Sequence, residues 1–259
     1  MTTLSVRSAV RSPWFREEPG RGPGRLRLFC LPHAGAGSLA FMGWDRVLSA
    51  DVEVVPVRPP GREERFWDPP YTRADSYVRD LGGALVWNLD GPYALFGHSV
   101  GALLAYELTR FLVAAGAPAP AHLFVSGRIA PHLADPRPVL HRMPDSTLLR
   151  ELSALGGLPE VAAATPELLD YLLPVLRADL AVNETYRHAE GPRLSVPITA
   201  LGGAQDPKVT PAELAAWREL TDGPFEQHLF DGGHFFVATQ RDRLLATLGR
   251  TLEPLIHQA

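Results

Sequence analysis

The chain has 259 residues, 25 basic and 29 acidic side chains and a formal net charge of −4. With no block of like charges, that balance argues against a nucleic-acid partner, and the single cysteine, Cys30, excludes an internal disulfide and fits a reducing compartment. Neither a signal peptide nor a membrane span is legible, the most apolar region (111–125) being broken by Pro118 and Pro120, so a soluble, cytoplasmic protein with no membrane partner is expected.

Length suits one α/β domain over 1–259. Residues 1–24 are rich in Arg, Pro and Gly and read as a flexible arm pinned by Trp14. Leu26 to Leu31 is the first strand, running into the glycine-rich turn Pro32-His33-Ala34-Gly35-Ala36-Gly37-Ser38. A phosphate loop is the competing reading of that turn, but the G-K-[ST] ending is absent. Ser38 is placed to cap a short helix with Phe41, Trp44, Val47 and Leu48 on its apolar face. Val52 to Val57 is a second strand, and Pro56, which donates no ladder hydrogen bond, assigns it to an edge or a strand end.

Asp75 to Asn88 has helical spacing through Tyr77, Leu81, Leu85 and Val86, and Asp90-Gly91 ends it. Tyr93 to His98 is a strand, Val100 to about Ala115 a helix capped by Gly116, and His122 to Gly127 another strand. Such alternation predicts a mostly parallel central sheet with helices on both faces. Between about 132 and 190 it stops. Asp145 opens a helix ending at Gly156-Gly157, and Thr165-Pro166 opens a longer one in which Leu168, Leu172, Leu176 and Leu180 recur every four residues and Pro174 predicts a kink. A helical insertion of this kind packs as a core or forms a leucine-lined lid over a site, and both readings can hold. Alternation resumes with a strand at 196–203, a helix at 211–220, a last strand at 225–230 and a final helix at about 241–256.

Gly97-His98-Ser99-Val100-Gly101 matches G-x-S-x-G in the strand-turn-helix setting that presents a serine at a tight elbow. Asp206 follows the 196–203 strand and His234 follows the last one. Ser99, Asp206 and His234 therefore share the C-terminal edge of a parallel sheet, in the chain order of the α/β-hydrolase triad. A serine hydroxyl needs a base, here His234, and the base needs a carboxylate to fix its tautomer, here Asp206. Backbone N–H groups of Ala34 and Val100 are the candidate oxyanion donors. His33 is a candidate substrate contact at the pocket mouth, His98 reads as structural, and Asp231 stands too close to His234. Asp135 or Asp179 would replace Asp206 if the strand placement slipped. No spacing of histidines or cysteines suggests a metal site.

Several longer stretches carry more. Leu-Phe-Cys-Leu-Pro-His-Ala-Gly (28–35), Pro-Gly-Arg (60–62), Phe-Gly-His-Ser-Val-Gly-Ala (96–102), Val-Ser-Gly-Arg-Ile-Ala-Pro (125–131), Leu-Arg-Ala-Asp (176–179), Glu-Thr-Tyr (184–186) and Gly-Gly-His-Phe-Phe (232–236) span nearly the whole chain. In these the sequence resembles the type II thioesterases of polyketide and nonribosomal peptide synthases, of the α/β-hydrolase superfamily. The resemblance implies a monomeric editing enzyme that removes acyl groups from the phosphopantetheine thiol of acyl or peptidyl carrier proteins, with no cofactor or metal. Departures are His-Ala-Gly-Ala-Gly where His-Ala-Gly-Gly is more frequent, Val100 where methionine or leucine is common, and Gly-Ala-Gln-Asp in place of Gly-Asp-x-Asp. An oxygen-ester carboxylesterase or lipase, and an idle carrier-binding scaffold, are the alternatives the triad leaves open.

Overall fold

A computed structural model describes residues 12–15, 25–89, 91–135, 137–157 and 165–257. Most of the expected N-terminal arm and the 158–164 join of the insertion lie outside the described residues. Six strands form one parallel sheet in the order β2-β1-β3-β4-β5-β6: β1 (Leu26–Leu31), β2 (Val52–Pro56), β3 (Tyr93–His98), β4 (His122–Ser126), β5 (Ile198–Gly203) and β6 (Phe225–Phe230).

Burial follows the side chains. β3, β4 and β5 are buried at every position, as strands covered on both faces must be, whereas β2 and β6 are only partly buried and form the edges. Pro56, at the end of the edge strand β2, sits where its missing donor costs least. Alternation along the strands divides the core in two: Leu26, Leu28 and Cys30 with Ala94 and Phe96 face one side, while Phe29 and Leu31 with Tyr93 and Leu95 face the other.

The second side is covered by α1 (Ala74–Val86) and α2 (Val100–Ala114) through Tyr77, Leu81, Leu85, Leu104, Leu108 and Leu112. The helices approach closely at Gly82, where a Cβ would stand 2.5 Å from the Phe111 ring. α2 ends at Gly116, whose φ of +70° suits a glycine C-cap. Trp14 is buried against this side, stacked on Tyr71 at 5.9 Å and under the Arg65 guanidinium at 4.6 Å.

Between β4 and β5 lie α3 (Asp145–Ala154) and α4 (Pro166–Glu184), and between β5 and β6 lies α5 (Pro211–Ala215). Leu176 of the stripe joins Leu140, Leu148 and Leu152 in a separate small core, and Leu172 and Leu180 pack partly buried against it, whereas Leu168 is exposed. α4 runs through Pro174 from end to end. After β6 come the four-residue helix α6 (Phe236–Thr239), which sequence periodicity is too short to reveal, and α7 (Arg241–Ile256), whose Leu244, Leu245, Leu248 and Leu252 cover the first side with Phe41 and Trp44.

Two local expectations are corrected. Ser38 begins a four-residue 3₁₀ turn, and its hydroxyl donates to Glu63 at 2.7 Å, so a nearby carboxylate outcompetes the cap. Val47 is half exposed, because the following turn, Trp44–Arg46, is also 3₁₀ and its residues do not share one α-helical face. Among the described residues no helix is long and apolar enough to cross a membrane.

Candidate active site

Ser99 sits between β3 and α2 with φ 56° and ψ −118°, a backbone conformation that non-glycine residues rarely adopt and that costs on the order of 1–3 kcal/mol. Surrounding bonds hold it there: its N–H donates to the Ser126 carbonyl at 2.8 Å and its carbonyl accepts from Ala102 N–H at 3.0 Å. The flanking glycines are required by space. A Cβ on Gly97 would stand 2.0 Å from the Gly101 carbonyl oxygen, and one on Gly101 would stand 2.2 Å from that of Leu31. Val100 opens α2, so its N–H has no acceptor within the helix.

Asp206 and His234 are brought together by the loops after β5 and β6. Those loops are stitched to each other: Ala204 N–H donates to Phe230 O at 2.7 Å, Gln205 N–H to Gly232 O at 3.0 Å, and Gly232 N–H to the Gln205 side-chain carbonyl. Gly203 permits the approach, since its Cβ would meet Gly233 O at 2.3 Å. His234 Nδ1 lies 2.8 Å from Asp206 Oδ2, both side chains being buried, and Asp206 Oδ1 accepts from Lys208 N–H at 2.8 Å. An ionised carboxylate only accepts, so Nδ1 carries the proton and Nε2 is left as the basic nitrogen. The rival acids are engaged elsewhere: Asp179 pairs with Arg62, Asp135 with Arg137, and the exposed Asp231 lies 3.4 Å from Arg243.

Two more rings adjoin His234. His98 is buried, its Nδ1 3.0 Å from Ser126 Oγ and its ring 5.2 Å from that of His234. The left-handed Gly127 makes room for it, since a Cβ there would lie 2.4 Å from His98 Cε1. His33 packs edge-on to Phe235 at 5.0 Å and to His98 at 5.8 Å. Burial pushes the His33 pKa down to about 4, with the His234 and Arg62 charges adding to the effect. His98 is likewise held well below the ordinary range by burial, then by His234 and His33. Both rings are therefore neutral at pH 7.

The glycine turn before this cluster is gripped from outside. Gly35, with φ +77°, donates its N–H to Asp179 Oδ2 at 2.8 Å, and Leu39 N–H donates to Glu63 at 3.2 Å. With carboxylates at both places, the turn is unsuited to a phosphate. α4 lies directly over it: a Cβ on Gly35 would come within 2.5 Å of Leu176 Cδ2. Beyond α3, Gly157 meets the Phe235 ring, where an added Cβ would stand 2.7 Å away. The insertion thus covers both the 33–38 turn and the His234 turn. An open cavity of about 760 Å³, between α1, α2 and residues 185–194, includes none of these residues.

The thioesterase domain model matches residues 26–252. The chain belongs to the thioesterase family. Linear gramicidin dehydrogenase LgrE of Brevibacillus parabrevis is 38% identical over 245 residues, covering 93% of each chain. Thioesterase PikA5 of Streptomyces venezuelae is 37% identical over 91% of this chain and 87% of its own. Among solved structures, the RedJ thioesterase from the prodiginine pathway of Streptomyces coelicolor superimposes with a TM-score of 0.84 at 42% identity, covering 95% of this chain and 94% of RedJ. The resemblance read from the motifs holds.

In this thioesterase the motifs at 60–62, 125–131, 176–179 and 184–186 map onto the attachment of the insertion. Arg62 of Pro-Gly-Arg holds Asp179 of Leu-Arg-Ala-Asp; Arg128, following β4, donates to Asn183 one turn further along α4. Glu184 accepts from the backbone N–H groups of Leu140 and His141 at 2.9 and 3.0 Å, and Tyr186 donates to Glu107 at 2.6 Å. Sequence reasoning assigned Arg62 no role and Asp179 a different one. The motifs signalled both residues, but not their pairing.

Proposed function

We propose that this thioesterase hydrolyses acyl groups from the phosphopantetheine thiol of acyl or peptidyl carrier proteins, serving an assembly line as a discrete editing enzyme. What supports the reading is the buried Asp206–His234 pair, its imidazole 5.2 Å from the ring of His98 next to the strained Ser99, in a chain whose relatives are named for gramicidin S biosynthesis, for the prodiginine pathway and for the yersiniabactin NRPS/PKS pathway.

Ser99 Oγ attacks the thioester carbonyl while its proton passes to His234 Nε2. The oxyanion is received by the N–H groups of Ala34 and Val100. Collapse breaks the C–S bond, and His234 gives its proton to the departing thiolate. Water then attacks the acyl-serine ester as His234 takes its proton, the C–O bond breaks, and Ser99 recovers its hydrogen. Asp206 holds the imidazole in the tautomer required and offsets its transient positive charge. Free acid and the thiol form of the carrier are the products. The 132–190 insertion serves as a lid, its leucines offering apolar surface to the acyl chain.

LgrE is named a dehydrogenase, yet a dinucleotide needs its pyrophosphate at free amides of a glycine turn opening a helix. Here Asp179 and Glu63 occupy those amides, which supports hydrolysis over hydride transfer. Turnover of thioester and oxygen ester on matched acyl chains tests the substrate class: the thioester is preferred on this reading, and equal or better oxygen-ester turnover contradicts it.

A further inference from the structure

We infer that Asp179 and Arg62 are positioning residues through which the lid helix sets the oxyanion loop; the inference rests on the thioesterase reading above. Asp179 lies on α4, 144 residues along the chain from the turn it grips. Its Oδ2 accepts from Gly35 N–H at 2.8 Å and from Arg62 Nη1 at 2.7 Å, and its Oδ1 accepts from Arg62 Nη2 at 2.9 Å. Arg62 Nη1 also donates to the Ala36 carbonyl at 2.8 Å, and Nε donates to Pro60 O at 3.3 Å. Two peptides of the turn, 34–35 and 36–37, are therefore held, the first at its donor and the second at its acceptor.

Ala34 is the residue immediately before. A planar peptide whose Gly35 N–H is fixed also fixes the direction of the Ala34 carbonyl, and with it the backbone of the residue whose own N–H is the proposed oxyanion donor. Gly35 is bound to this arrangement sterically too, because its φ is left-handed and a Cβ there would stand 2.5 Å from Leu176 Cδ2. α4 thus presses on the turn with Leu176 and bonds it with Asp179.

Stability alone does not account for the pair. Both side chains are about 10% exposed, and a buried ion pair commonly contributes little or nothing against apolar residues of the same volume. Burial alone would lower the Arg62 pKa, but the Asp179 carboxylate more than compensates, so the guanidinium remains charged. What the fork-to-carboxylate geometry provides is direction: two parallel bonds that orient the carboxylate toward Gly35. With α4 seated, the donor is in place; with α4 displaced, the Gly35 amide loses its acceptor. Lid position and oxyanion stabilisation are one equilibrium.

The test is kcat and KM for hydrolysis of an acyl-S-pantetheine by the full chain, with active sites counted by complete fluorophosphonate labelling so that misfolded protein does not enter. Loss of an entire oxyanion donor lowers kcat by about 10²–10³-fold, so a displaced donor in Asp179→Ala is expected to cost about 10–100-fold, with KM changed by less than about threefold. Asp179→Asn, which keeps an acceptor for Gly35, falls between wild type and alanine, as does Arg62→Lys, which keeps charge but loses the fork. These two carry the test if Asp179→Ala fails to fold. Values of kcat per labelled site within about threefold of wild type in the folded variants, or an effect confined to KM, overturn the inference. Amide exchange over residues 33–37 is read in parallel, on whichever of the variants fold. It must quicken while α2 stays protected, and unchanged exchange overturns the clamp independently of substrate. A wild type that labels but turns over no thioester counts against the substrate assignment, not the clamp.

Discussion

His234 Nδ1 donates to Asp206 Oδ2 across 2.8 Å, although the residues stand 28 positions apart on loops that follow different strands. The bond exists because β5 and β6 are adjacent and their loops are stitched through Ala204, Gln205 and Gly232. Asp206→Asn replaces an acceptor-only carboxylate with a group that can donate to Nδ1 and stabilise the wrong tautomer. Steady-state kinetics should show kcat lower by about 10³–10⁴-fold with the fold unchanged by circular dichroism.

Backbone strain at Ser99 gives a stability prediction separable from activity. Ser99→Gly and Ser99→Ala both remove the hydroxyl, but only glycine adopts φ 56°, ψ −118° without a Cβ penalty. Set against the entropy glycine adds to the unfolded chain, Ser99→Gly should be the more stable of the two by about 1 kcal/mol in urea unfolding. Equal midpoints would mean that the elbow stores no strain.

Acid should destabilise the protein in the window set by its buried histidines. His33 titrates at an ordinary value near 6.5 when unfolded and at about 4 when folded, so between these values the unfolded chain binds the extra proton and stability falls as pH falls. His98 and His122, also lowered by burial, act in the same direction. His98, His234 and Arg62 face His33, so its protonation places a further charge among them. His33→Asn should remove about 1–2 kcal/mol of the stability lost between pH 6.5 and 4, allowing for the partial exposure of the ring. An unchanged slope of unfolding free energy against pH would contradict this.

Trp14 should act as an anchor. Its ring is buried against Tyr71 and Tyr77 beneath Arg65, and its carbonyl accepts from Arg58 N–H at 2.9 Å. Trp14→Ala should cost about 3–5 kcal/mol in chemical denaturation, by lost transfer and the cavity left behind. A loss under 1 kcal/mol would indicate that the segment contributes no core.

Much of this arrangement was legible in the sequence, for local reasons. The elbow needs glycines at fixed offsets from Ser99, Pro56 marks an edge, and Gly116 stops α2, each through a constraint confined to a few residues. Chain order placed Asp206 and His234 on one sheet edge because parallel strands share a direction. What escaped depends on partners distant in sequence. Ser38 gives up its cap because Glu63, 25 residues on, folds back to it, and Asp179 meets Arg62 across 117 residues. An Asp on a leucine-rich helix carries no local mark of the backbone amide it will hold. The 3₁₀ turns at 38–41 and 44–46 likewise answer to packing rather than propensity, which is why Val47 faces solvent.

In the proposed function Ser99 carries an acyl group between a carrier thiol and water. Wild-type protein and Ser99→Ala are incubated with acyl-loaded carrier protein, and intact-protein mass spectrometry follows both partners. Wild type should remove the acyl mass from the carrier and show a transient acyl adduct on the enzyme, and Ser99→Ala should do neither. Deacylation of the carrier by folded Ser99→Ala at the wild-type rate would contradict the proposed function.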